Sequence, residues 1–164
     1  SSGRPGRYRG RHSCGGAIIY NDIIITAAHC IVGSDPKDYE VRVGSSYNQK
    51  GGFVYEVADL MWHPDFNYAQ MDSDIALLWL ANPIRFTETV APVVMFNAND
   101  EIVDGDITLV TGWGHMTEGG GYPAVLQKVL VPIVNEDICN DAYMPLYKIT
   151  PRMLCAGVPR PRPR

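Results

Sequence analysis

The sequence predicts an all-β fold, and three observations predict it. Short apolar or alternating runs recur along the chain, turn-forming clusters separate them, and no segment carries a long amphipathic helix period. Strands at this spacing build a barrel or a sandwich. Gly16 to Tyr20 and Ile23 to Thr26 flank Asn21-Asp22 as the arms of a hairpin. Tyr39-Glu40-Val41-Arg42-Val43 alternates, with apolar side chains on one face and charges on the other. Phe53 to Trp62 is a longer extended run, ended by His63-Pro64-Asp65 because Pro64 lacks a donor and restricts the residue before it. Ile75 to Leu80 is continuously apolar and reads as a strand buried on both faces. Ile107 to Thr111, Leu126 to Val134 and Met153 to Ala156 supply the remaining strands. Turn residues collect at Ser34-Asp35-Pro36, Asp104-Gly105-Asp106 and Gly119-Gly120-Gly121-Tyr122-Pro123. Apolar periodicity lapses between about Thr87 and Asp104, which marks a boundary.

A length of 164 residues suits one domain or two small subdomains sharing a core. The apolar fraction of 46% and charged fraction of 20% are those of a soluble globular protein. No stretch approaches the roughly 18 apolar residues of a membrane span, so no membrane partner is expected. The chain starts at Ser1 without a secretory signal, so an upstream segment is either removed or not represented.

The net charge of −4 conceals an asymmetry. Arg4, Arg7, Arg9 and Arg11 lie at one end, and Arg160, Arg162 and Arg164 at the other, half of the 14 basic residues. The other seven share residues 12–159 with all 18 acidic groups, which leaves that body at −11. An acidic body with basic ends is unsuited to nucleic acid. Solvated tails are the preferred reading. The weaker alternative is an anionic polymer, such as a sulfated one, bound at Arg4, Arg7, Arg9 and Arg11.

The cysteines form two local pairs, Cys14 with Cys30 and Cys139 with Cys155. There is no CxxC and no zinc-ligand spacing with histidines, so neither a metal nor a cofactor is expected. Two disulfides in a secreted, extracellular protein are the better reading. Closing loops of about 15 residues stabilises by about 3 kcal/mol each in the chain-entropy account.

Thr26-Ala27-Ala28-His29-Cys30 and Asp74-Ile75-Ala76-Leu77-Leu78 are the segments that carry chemistry. His29 is a natural general base, since an imidazole titrates near neutrality. Ala27 and Ala28 are small enough for a tight turn after a strand, and Cys30 can tether that turn to Cys14. Asp74 opens an apolar strand, where a carboxylate is costly unless paired, and an imidazole fits as partner. Asp72 is a nearby decoy on the loop side, and Asp74 is preferred.

With Cys14-Gly15-Gly16, Thr111-Gly112-Trp113-Gly114, Leu126-Gln127-Lys128-Val129, Cys139 and Met153-Leu154-Cys155-Ala156-Gly157 in order, these segments resemble the chymotrypsin/trypsin family of serine endopeptidases over residues 12 to about 159. The resemblance implies two packed antiparallel Greek-key β-barrels, the second incomplete, with His29 as base and Asp74 as its orienter from the first. Residues 1–92 would form a first barrel lacking its opening strand, and 93–164 the crossover and a truncated second barrel. The glycine-rich loop Ser45 to Phe53 is similar to that of invertebrate trypsins and lacks the paired acids of a calcium loop, so no calcium is expected.

The chain departs from the family in two places. No Gly-Asp-Ser-Gly-Gly occurs, so the serine nucleophile, its oxyanion hole and the specificity pocket are expected to be missing, and the chain as written inactive. No Ile-Val-Gly-Gly start occurs, and Ser1 to His12 reads as the surface loop before the Cys-Gly-Gly strand. The leading reading is an incomplete record of a secreted trypsin-like endopeptidase acting on polypeptides and open to protein inhibitors. The alternative is a truncated, catalytically dead homologue acting as a binding or decoy protein.

Overall fold

A computed structural model describes residues 2–3, 11–97, 99–117 and 119–158. Arg4, Arg7 and Arg9, and with them the anionic-polymer reading, lie outside the described residues. So do the terminal arginines. The chain divides into two compact units, Ser1–Met95 with Gly112–Gln127, and Phe96–Thr111 with Lys128–Arg164.

The first unit is a curled antiparallel sheet. Its strands are β1 (Ser2–Gly3), β2 (His12–Cys14), β3 (Ala17–Ile18), β4 (Ile23–Thr26), β5 (Glu40–Val43), β6 (Phe53–Trp62) and β7 (Ala76–Leu80), in the order β2-β1-β5-β6-β7-β4-β3. The curl is made within β6. Its first residues pair with β5, from Val43↔Phe53 to Glu40↔Glu56, and its later ones with β7, from Val57↔Leu80 to Trp62↔Ala76. The register slips between Val57 and Asp59, and such an extra residue bends a strand and increases its twist.

Alternation delivers one face of these strands to the interior. Ile24, Val41, Val43, Val57, Ala76, Leu78 and Leu80 are buried there with Ala28, Ile31, Tyr39, Ile84 and Val90. Among the described residues Ile31, Leu78 and Val41 are the largest fully buried side chains, each worth about 1.5–3 kcal/mol of transfer free energy.

Two expectations are corrected here. β7 is buried on one face only: Leu77 and Trp79 are half-buried, and Ile75, which precedes the strand, is 43% exposed. Hydrogen-bonded neighbours on both edges do not cover the outer face of an antiparallel sheet. The opening residues are not loop throughout, because Ser2–Gly3 pairs with both β2 and β5.

The segment 112–127 joins this unit through the turn between β5 and β6. Leu126 N–H donates to the Ser46 carbonyl (2.7 Å), Asn48 N–H to Ala124 (3.2 Å), and the Trp113 indole to Ser46 (3.1 Å). The His12 ring meets Trp113 edge-on, with centroids 5.4 Å apart.

β8 (Ile107–Gly112) pairs with β9 (Gln127–Pro132), both in the second unit except for Gly112 and Gln127, and among the described residues this unit carries one helix, α1 (Glu136–Tyr143), where the sequence suggests none. Asn135 caps it, its side chain accepting from Asp137 N–H and Ile138 N–H, with Glu136 and Asp137 in the first turn favouring the positive end of the dipole. Met153 to Ala156 is not a strand. That segment is tied to α1 by Cys139–Cys155 and meets the chain beyond β9 in a single bridge, Ile133↔Ala156.

Candidate active site

His29 lies on a 3₁₀ turn, Ala28–Cys30, which follows β4 after Ala27, and Asp74 is followed by Ile75 and then β7. β4 and β7 are antiparallel neighbours with Thr26 opposite Ala76. Running a few residues past Thr26 and a few back from Ala76 therefore brings the two side chains to the same end of the same strand pair. Ala28 is completely buried, so a larger side chain would push the turn off the core.

Both carboxylate oxygens of Asp74 serve His29. Oδ2 lies 2.6 Å from Nδ1, and Oδ1 accepts from the His29 backbone N–H at 2.8 Å. Against an ionised carboxylate, which can only accept, a neutral imidazole would carry its proton on Nδ1 and keep a lone pair on Nε2. The imidazole remains 40% exposed against 20% for the Asp74 side chain, an arrangement that offers Nε2 to an incoming group while sheltering the carboxylate.

Three further contacts fix the turn. Cys14–Cys30 is a disulfide with its Cα atoms 6.3 Å apart, and the Cys30 sulfur sits 3.6 Å from Nε2. Thr26 Oγ1 donates to the Gly15 carbonyl at 2.8 Å. Tyr39, buried at the entry to β5, places its hydroxyl 2.7 Å from the Cys30 carbonyl. Tyr39 appears in the sequence only as an alternating apolar residue, with no signal of this reach.

On the other side, Met71 and Ser73 adopt φ of 53° and 55°, a left-handed backbone that non-glycine residues seldom take. The loop is closed by reciprocal backbone bonds between Asn67 and Asp72, and Asn67 Oδ1 accepts from Ala69 and Gln70 N–H. Asp72 is thus a loop member, while Asp74 reaches the histidine. Nitrogen and sulfur atoms of Cys14, His29 and Cys30 lie within 4.8 Å of one another, but both sulfurs are spent in one disulfide and offer no thiolate to a metal. Cys139–Cys155 is also formed and lies in the second unit.

The family profile for trypsin matches residues 4–162. The chain belongs to the trypsin family. It is 60% identical over 152 residues to the "Vitellin-degrading protease" of Bombyx mori, covering 93% of this chain and 58% of that protein. It is 39% identical to a "Trypsin" of Phaedon cochleariae (93% and 59% covered) and 38% identical to "Trypsin-1" of Astacus astacus (90% and 64%). The chain thus spans about three fifths of the length of the curated relatives it matches. A crystal structure titled as the scabies mite inactivated protease paralogue S-D1 superposes with a TM-score of 0.83 at 24% identity, over 90% of this chain and 65% of that one. That likeness establishes the trypsin-like fold. Among the described residues no helix is long and apolar enough to cross a membrane.

Proposed function

We propose that this chain carries the base and the orienter of a secreted, trypsin-like serine endopeptidase. One observation carries the reading: Asp74 grips His29 through both ring and backbone, leaving Nε2 as a proton acceptor. In the proposed reaction a serine hydroxyl gives its proton to Nε2 as its oxygen attacks a peptide carbonyl. Asp74 stabilises the resulting imidazolium, which then returns the proton to the leaving amine. The family's Gly-Asp-Ser-Gly-Gly setting does not occur in these residues, so hydrolysis is proposed for the whole protein and the 164 residues alone are proposed inert. The two disulfides support an extracellular setting.

The relative that is 60% identical is named for degrading vitellin, which makes vitellin the first polypeptide to test. The protein encoded by the whole transcript is expected to cleave it and to lose that cleavage on His29→Ala, while the 164-residue chain takes no label from a fluorophosphonate. Cleavage indifferent to His29→Ala, or labelling of the short chain, contradicts the proposal. A 164-residue chain that is soluble and binds a polypeptide partner while taking no fluorophosphonate label would favour the decoy alternative.

A further inference from the structure

We propose that Tyr39 is a positioning residue for His29, its buried hydroxyl anchoring the turn that aims the imidazole at Asp74. Tyr39 is 3% exposed. Its hydroxyl lies 2.7 Å from the Cys30 carbonyl oxygen and 2.9 Å from Ser34 Oγ. A carbonyl can only accept, so the single phenolic proton goes to Cys30, and the Ser34 hydroxyl donates to the phenol. One buried group thereby holds the residue after His29 and the far end of the same turn, where Ser34 N–H also donates to Ile31. The phenol itself is set by the fold. Tyr39 N–H bonds Pro36, and β5 begins at the next residue.

The other restraints act from different sides. The Cys14–Cys30 disulfide pulls toward β2, and Asp74 Oδ1 holds the His29 N–H from the start of β7. The Tyr39 bond alone among these ties the turn to β5 through a carbonyl at its C-terminal end, where such groups lack partners within the turn. Losing it leaves that end of the turn free to shift, and the ring moves with it.

The inference rests on reading His29 as the base, yet its test does not need turnover. In the 164-residue chain the exchange of the His29 Nδ1 proton is followed by ¹⁵N–¹H NMR. Tyr39→Phe preserves the buried ring and removes only the hydroxyl, and exchange should quicken about fivefold, the effect of one lost hydrogen bond. Val41→Ala, a cavity in β5 that removes none of the hydrogen bonds named at the turn, should leave exchange unchanged well below melting. Equal exchange in wild type and Tyr39→Phe overturns the proposal, as does equal acceleration by Val41→Ala. Should Tyr39→Phe fail to fold, Ser34→Ala keeps the phenol, and a smaller acceleration is expected; none overturns the proposal. Failure of the endopeptidase reading shows separately, as hydrolysis indifferent to His29→Ala.

Discussion

At the scale of single residues, the candidate site depends on which atom holds a proton. Asp74→Asn preserves shape but gives the partner an amide that can donate to Nδ1, so the neutral ring carries its proton on Nε2 and cannot accept another. For the whole protein we expect kcat on a polypeptide to fall by roughly 10⁴-fold, the scale of this exchange in Ser-His-Asp triads of the same family, with far less change in KM. A loss of tenfold or less would show the carboxylate to be dispensable. The contact between His29 and Asp74 was legible because a carboxylate opening an apolar strand needs a partner and an imidazole fits it. Tyr39 was not, because a phenol on the apolar face of an alternating strand looks like any core residue until the turn it reaches is in place.

His12 shows a second consequence of burial. Its Nδ1 is buried without a hydrogen-bond partner, and burial pushes the imidazole below its usual pKa of 6.5. The folded chain therefore keeps His12 neutral where the unfolded chain takes up a proton. Stability is fully present above about pH 6.5 and is lost as pH falls toward the lower folded value. Urea unfolding between about pH 7.5 and about pH 5 should show this decline, and His12→Phe, which keeps an aromatic against Trp113, should flatten it. An unchanged slope would remove His12 from the account.

At the scale of elements, strands with clean alternation were readable, and those whose fate depends on neighbours were not. Glu40–Val43 and Phe53–Trp62 appear as expected. The slip inside β6 has no sequence mark, since Val57, Ala58 and Asp59 continue an ordinary extended run. Helix α1 was missed because eight residues with only Cys139 buried present no apolar stripe, although Asn135-Glu136-Asp137 carries a cap and first-turn acids. Conversely, Met153 to Ala156 has strand composition but finds a ladder partner only at Ala156. The tightest local requirement is in the turn between β5 and β6. Gly52 has φ +60°, and a Cβ there would stand 2.1 Å from the Val43 carbonyl oxygen. Gly52→Ala should cost about 1–3 kcal/mol in urea unfolding, against a few tenths for a surface exchange such as Lys37→Ala. Equal effects would show the turn to be freely adaptable.

At the scale of the whole molecule, the described core lies in the first unit, where all twelve members of the main apolar cluster belong. In the second unit Ile133 and Cys139 are buried, while Ile107, Leu109, Val129 and Leu130 on its two strands are each more than half exposed. Opening free energy follows burial, so amide hydrogen exchange should be slowest in β4 to β7 and much faster in β8 and β9. Comparable protection in both would contradict that distribution. The family was legible from motif order, and the all-β class from short alternating runs separated by turn clusters. How the compact units divide the chain was less so, because Gly112–Gln127 joins the first unit through backbone bonds to Ser46 and Asn48, which composition does not announce.

The central claim is that Asp74 fixes His29 with its proton on Nδ1 and its lone pair on Nε2. The most direct measurement is the ¹⁵N chemical shifts of the neutral His29 ring, in wild type and in Asp74→Asn. The account predicts an Nδ1–H tautomer in wild type and its loss to Nε2–H in the variant. An Nε2–H tautomer in wild type, or one indifferent to Asp74→Asn, would contradict it.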